Sequence, residues 1–291
     1  YRYDNSVFRQ EKAFAMNKKT KWLKILLIGI LLIWTLFPIY WMISLSIRNS
    51  AEIQSELPIL PKSFSLEHFR KLFEEKEFGR ALLNSIQITL ISLAFALAFG
   101  LATAYIQSRK RLKIPGSDAS LFWILLVRIL PPIAFAVPLY FIMTRLQLIR
   151  TKIPIISAHV MINIAFIVWF MITFFRTLPE EAEDSARIDG ASEWQLLWHI
   201  ILPLVSPGIA SVAILSFMTS WNEYLYGVIF VQSPQNYTIP LILATLNSEQ
   251  ELTEYGLITA GGVISLIPIL LFVIFAQNYL IKGLSSGAVK E

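Results

Sequence analysis

Six stretches of this chain are apolar for longer than a helix buried in a soluble core requires, and they restrict the solvent it can fold in. Runs with few or no charges cover about 22–47, 81–107, 119–144, 153–175, 203–231 and 256–281. Each reaches the roughly 20 residues that cross a hydrocarbon core at about 1.5 Å per residue. The runs are apolar all round, whereas a strand of an outer-membrane barrel alternates over about ten residues. The expected fold is an all-α membrane protein with six transmembrane helices. Composition agrees: 55% of residues are hydrophobic and 15% charged, with mean hydropathy +0.59, against roughly 25% charged in a soluble domain.

One pattern argues for a strand, because Ala94, Ala96, Ala98, Gly100, Ala102 and Ala104 place a small residue at every second position. The length of the run overrules it. On a helix the same spacing gives two ridges, Ala94/Ala98/Ala102 and Ala96/Gly100/Ala104, the small-xxx-small signature of close helix contact in lipid. Prolines within the runs (Pro38, Pro131, Pro132, Pro138, Pro268) are expected to kink or break turns where neighbouring groups take up the freed backbone.

Between the fourth and fifth runs lies the chain's most polar anomaly, Leu178 to Pro207. Thr177 and Glu180 fit a capping box, Pro179 suits a first helical turn, and Glu180, Glu181, Glu183 and Asp184 complement the positive end of a helix dipole. Asp189-Gly190 supplies a bend, and Ser192 with Gln195 fits a second capping box. The expected element is a helix-turn-helix over about 177–202. Ala182, Ala186, Ile188, Ala191, Trp194, Leu197 and Trp198 are too few to span a membrane, yet they leave an apolar stripe on an acidic hairpin, as a docking surface needs.

With six spans both termini share a side, and placing them in the cytoplasm puts 15 Lys and Arg inside against 9 outside, with Arg128 within a span. Lys18, Lys19, Lys21 and Lys24, then Arg109, Lys110, Arg111 and Lys113, contribute most, and the loop 233–255 carries no Lys or Arg. The layout that follows is a cytoplasmic tail (1–21), a first transmembrane helix (22–47), an external loop (48–80), a core (81–281) of five transmembrane helices with the cytoplasmic hairpin, and a cytoplasmic tail (282–291). Met16, followed by Asn17-Lys18-Lys19, reads as a candidate start. The first run is too long for a cleavable signal.

No enzyme constellation emerges. A G-x-x-x-x-G-K-[ST] phosphate loop is missing, and His68, His159 and His199 are too scattered for a zinc triad or a nucleophile–base pair. The chain is read as a non-enzyme without a metal site, a bound cofactor or a nucleic-acid partner, surrounded by lipid. Polar groups inside the runs remain. Arg128 sits near a midplane, where an unpaired charge costs at least a few kcal/mol. Trp221-Asn222-Glu223-Tyr224, Asn84 and Asn163 are further candidates for a polar path, since aromatic and amide side chains stack on and hydrogen-bond to sugars. The same residue types also lock helix bundles, and both readings stand at this point.

The hairpin, Leu178-Pro179-Glu180-Glu181-Ala182-Glu183-Asp184-Ser185-Ala186-Arg187-Ile188-Asp189-Gly190-Ala191-Ser192 followed by Ile201-Leu202-Pro203-Leu204-Val205-Ser206-Pro207, resembles the coupling loop of bacterial ABC-importer permeases of the type I, MetI-like fold. It departs from their pattern where Asp184-Ser185-Ala186 stands for Glu-Ala-Ala. Asn84-Ser85, Arg128-Ile129-Leu130-Pro131-Pro132, Pro138-Leu139-Tyr140, Trp221-Asn222-Glu223-Tyr224 and the terminal Gly283 to Lys290 are similar to the carbohydrate branch, in particular the six-span inner permease of maltose and trehalose uptake.

The resemblance implies import of a sugar or polyol in a bacterial or archaeal cytoplasmic (inner) membrane, with half of the pathway formed by this chain. The implied partners are a second, non-identical permease, two ATPase subunits that hold ATP and Mg, and an external sugar-binding protein. It implies coupling to the ATPase through Glu181, Ala182, Asp184, Ala186, Asp189, Gly190 and Ala191, and a substrate path along Asn84, Arg128, Asn163, Trp221, Asn222, Glu223 and Tyr224. A same-fold permease for a non-sugar solute is the nearest alternative. A secondary transporter fits less well, since it would more usually have about ten to twelve spans in repeats.

Overall fold

A computed structural model describes residues 18–55, 58–112, 115–246 and 255–288. The tail containing Met16 and the loop residues 247–254 lie outside them. Every regular element among the described residues is helical. The chain divides into two compact units, Tyr1–Phe69 with Tyr255–Val263, and Arg70–Glu254 with Ile264–Glu291.

In the first unit, helix α1 (Lys18–Ser46) carries Pro38 without interruption, and a short helix α2 (Ser50–Gln54) follows. The link between them is closed by Arg48, whose side chain is 0% exposed. Its guanidinium donates to Ser44 Oγ and to the carbonyls of Pro58 and Ile59, pairs with Glu52 at 3.3 Å, and lies 5.4 Å from the Trp41 ring centroid. Asn49 caps α2 by accepting from the Glu52 backbone N–H. The Glu52 carboxylate accepts from Lys62 N, Ser63 N and Ser63 Oγ. Those bonds, that from the Lys62 amide foremost, hold its pKa below the ordinary carboxylate value.

Helix α3 (Glu67–Glu74) straddles the unit boundary in the sequence. In the second unit, α4 (Phe78–Ser108) packs along a later span, α7 (Ile153–Thr177). Of the two small-residue ridges, Ala96, Gly100 and Ala104 are buried, while Ala94, Ala98 and Ala102 are exposed. Only one ridge therefore makes the close contact inside this chain. A Cβ on Gly100 would sit 2.8 Å from Ile167 Cγ2. Gly100→Ala is expected to destabilise the protein by about 1–3 kcal/mol through overpacking. Thermal denaturation in detergent reads this loss, and adding Ile167→Ala should return part of it if the contact is the cause.

The third predicted span (119–144) is not one helix. It is broken between α5 (Ser117–Ile129) and α6 (Pro132–Arg145), which bend by 108°. Pro131-Pro132 removes two backbone donors, and Pro disfavours the α conformation in the residue before it, so the break falls there. The fifth (203–231) is broken as well. A segment α9 (Glu193–Leu204) bends by 76° into α10 (Ser206–Trp221), which stops before a separate α11 (Leu225–Phe230). The loop 233–255 contains α12 (Ile239–Thr245). The last helix, α13 (Tyr255–Ala288), continues past the expected end of the span at 281. By length and composition, four helices are able to cross a membrane, or six if each bent pair counts as one span.

Candidate functional site

The polar hairpin consists of α8 (Glu180–Ile188) and α9, joined through Asp189-Gly190. Gly190 has φ +85°, the left-handed region that glycine enters without a Cβ penalty. Gly190 N–H donates to Arg187 O and Ala191 N–H to Ala186 O, each at 3.0 Å. Together these two bonds satisfy carbonyls left open at the end of α8. The second arm opens with the expected capping box between Ser192 and Gln195, and Leu197–Ile201 relaxes into a π-helical turn. The first arm differs from expectation. Thr177 Oγ1 donates back to Phe174 O inside α7, and no side chain caps α8; Pro179 stands at the cap position and locks the chain extended ahead of the helix.

Arg187 fastens the bend from within. It bonds to Glu193 at 2.9 Å, to Asp184 at 3.0 Å and to Glu183 at 3.2 Å. The Glu193 bond depresses the pKa of Glu193 and raises that of Arg187 further above its ordinary value. A depressed carboxylate contributes stability above its unfolded pKa and loses it only as pH falls through the folded one, so the Arg187–Glu193 bond is constant across neutral pH.

The apolar stripe divides into two faces. Ala186, Leu196 and Ile201 are buried with Tyr105, Met171 and Phe175, and Ala191 and Leu197 pack against the same cluster. Ala186 and Ala191 thus serve the chain's own packing. Ile188 is 86% exposed, Trp194 68% and Trp198 52%, with the two indoles 5.5 Å apart. Glu181, Asp184, Asp189 and Gly190 are exposed beside them. The side chain of Ala182 lies outside the described residues.

The candidate path residues also separate. Arg128, Asn163, Leu130, Phe166, Met218 and Thr219 line a cleft of about 630 Å³. The Arg128 guanidinium carbon lies 5.0 Å from the Phe166 centroid and 5.2 Å from that of Trp169, a cation held against two ring faces. Asn163, 1% exposed, donates to Ser220 Oγ at 2.8 Å, and its buried Oδ1 has no partner among the described residues. Asn222 and Tyr224 are exposed.

The remaining candidates each bond within the chain. Asn84 Nδ2 donates to the carbonyls of Gln235 and Tyr237, and Ser85 Oγ accepts from Ile239 N–H at the start of α12. Trp221, 3% exposed, stacks on Phe217 and donates to Ser265 O. Glu223 accepts from Tyr226 and Gly227 N–H, capping α11, with His159 Nε2 3.4 Å away.

Residues 96–286 match the family model described as "Binding-protein-dependent transport system inner membrane component". The chain belongs to this family. It is similar to the trehalose transport system permease protein SugB of Mycobacterium tuberculosis, 31% identical over 88% of this chain and 93% of that protein. It is similar also to the arabinooligosaccharides transport system permease protein AraQ of Halalkalibacterium halodurans, 33% identical over 94% of this chain and all of that one. A crystal structure of a bacterial ABC transporter involved in the import of the acidic polysaccharide alginate shares the fold, with TM-score 0.76, 22% identity and coverage of 96% and 99% of the two chains.

In this transport-system component, sequence reasoning assigned Glu183 only a helix-dipole role and Arg109 only a place in the charge asymmetry, and did not single out Tyr105, whereas the structure brings the three together. Glu183 is 3% exposed and pairs with Arg109. The signal present in the sequence was the four-residue spacing of Glu183 and Arg187, which puts them on one helix face.

Proposed function

We propose that this chain is one of two non-identical permeases of an ATP-driven sugar importer in a bacterial or archaeal inner membrane, with both termini and the hairpin in the cytoplasm. The observation that carries the reading is a preformed hairpin whose Ile188, Trp194 and Trp198 face outward beside acidic groups, in a member of this transport family. Exposed aromatic anchors with a charged rim are the composition of a protein-docking patch. The occupant is a cytoplasmic ATPase subunit that carries ATP and Mg, with basic groups facing Glu181, Asp184 and Asp189. Closure of two such ATPases would move the hairpins and open the pathway towards a sugar-loaded external binding protein. The cargo class is an oligosaccharide, in line with the trehalose and arabinooligosaccharide permeases to which the chain is similar. The cleft holding Arg128 and Asn163, with Asn222 and Tyr224 nearby in sequence to its α10 wall, is this subunit's share of the path.

Reconstitution with the partner permease, ATPases and binding protein tests this. Labelled trehalose or maltose should enter vesicles only with ATP and loaded binding protein. Uptake that follows a proton gradient without ATP would sink the proposal. The Trp194→Ala/Trp198→Ala variant should lose most of the co-purifying ATPase, because aromatic anchors at an interface centre contribute about 2 kcal/mol or more each.

A further inference from the structure

Glu183 stands apart from its acidic neighbours, because its carboxylate is turned into the protein. Oε1 accepts from Arg109 Nε at 2.7 Å and lies 2.6 Å from Arg109 Nη2 in the ion pair. Oε2 receives Tyr105 Oη at 3.0 Å and Arg187 Nη2 at 3.2 Å. Arg109, itself 3% exposed, follows directly after α4 and extends its third nitrogen, Nη1, to Phe175 O at 2.7 Å in the last turn of α7. The same carbonyl also accepts from Leu178 N–H at 3.3 Å, so Arg109 adds a second bond to the last turn of α7. One buried ion pair therefore joins the end of α4, the end of α7 and the first hairpin arm, while Arg187 extends the connection across the bend to Glu193.

We infer that Glu183 is a positioning residue that makes the hairpin and the ends of α4 and α7 one lever, so that displacement of the docked hairpin is delivered to both spans. This rests on the reading that the hairpin docks on an ATPase. The physical reason is the burial. Separating the hairpin from either span would expose or orphan a buried charge, which is far more costly than opening a solvated pair. The covalent connection alone does not enforce this. Leu178-Pro179 is extended chain between α7 and α8, and the Leu178 N–H donates back to Phe175 O in α7 rather than to α4.

The test uses the assembled importer in vesicles, with cysteines of the partner subunits replaced; this chain has none. The readout is disaccharide imported per ATP hydrolysed, using the labelled sugar selected by the uptake assay. In Glu183→Gln and in Arg109→Gln that ratio should fall about tenfold, within the usual range of coupling between sites, while ATPase subunits still co-purify. The Arg109→Cys/Glu183→Cys variant should show the same loss. A bis-thiosulfonate that bridges the two thiols should restore the ratio, and a reductant should abolish it again. Unchanged ratios in the two Gln variants would overturn the inference. So would an assembled double-cysteine complex whose ratio stays low after bridging, or loss of assembly that bridging does not cure, which would assign the pair to folding. Failure of the docking reading is separable, since it appears as ATPase retained by Trp194→Ala/Trp198→Ala.

Discussion

Gly190→Val should sharply reduce the sugar imported per ATP hydrolysed, whereas Gly190→Asn should retain most of it. The difference comes from the backbone, not from space. No atom lies within 4 Å of a Cβ built on Gly190, so a side chain has room. At φ +85°, however, a β-branched residue is strained by about 1–3 kcal/mol, equivalent to a shift of about 5- to 150-fold in the equilibrium between formed and opened bend. Asn visits the left-handed region readily. Opening the bend would break the two carbonyl bonds that end α8 and swing Trp194 and Trp198 away from Ile188, dividing the outward face. Equal coupling in the Val and Asn variants would remove the conformation of Gly190 from the mechanism.

The spans were legible because burial in lipid imposes a length and an apolar composition on each residue run independently of its neighbours. The break at Pro131-Pro132 was legible for a similar reason, since the missing donors belong to those residues themselves. The stop at Asn222-Glu223-Tyr224 was not. It contains neither Pro nor Gly, and its cause is a carboxylate that captures the N–H groups of Tyr226 and Gly227 with His159 alongside, 64 positions earlier in the chain. Asn84 hides its role in the same way, because the carbonyls it holds are 151 and 153 residues away.

Within the hairpin, the bend and the second cap were readable from residue type, as both are satisfied within four residues. The sorting of its acids was not. Glu181, Glu183 and Asp184 are chemically equivalent on paper, and only the approach of Arg109 and Tyr105 makes one of them an internal junction and leaves the others to solvent. The alanines divide for the same reason: Ala186 is buried in the cluster that holds Phe175, a neighbour 11 positions earlier that residue type alone does not reveal.

Arg48→Ala is expected to destabilise the segment that follows α1 by about 3–5 kcal/mol, the usual loss when one partner of a buried charged pair is removed. Thermal unfolding of the purified protein and protease access across 58–65 would both read it. The guanidinium satisfies Ser44 Oγ and two carbonyls while facing Glu52, and its fork has no equivalent in an ammonium. Arg48→Lys should therefore recover only a minor part of the loss. Glu52 remains bonded to the Lys62 and Ser63 amides, so its charge would persist without the counter-ion beside it. Because the Glu52 pKa is held below its ordinary value, its contribution is complete at neutral pH and is lost only as acid passes through that lowered value. Acidification to pH about 5, still above the ordinary carboxylate range, should accordingly leave wild-type stability in this segment unchanged. A lysine variant as stable as the wild type would show that charge alone, and not the geometry of the fork, closes the link between α1 and α2.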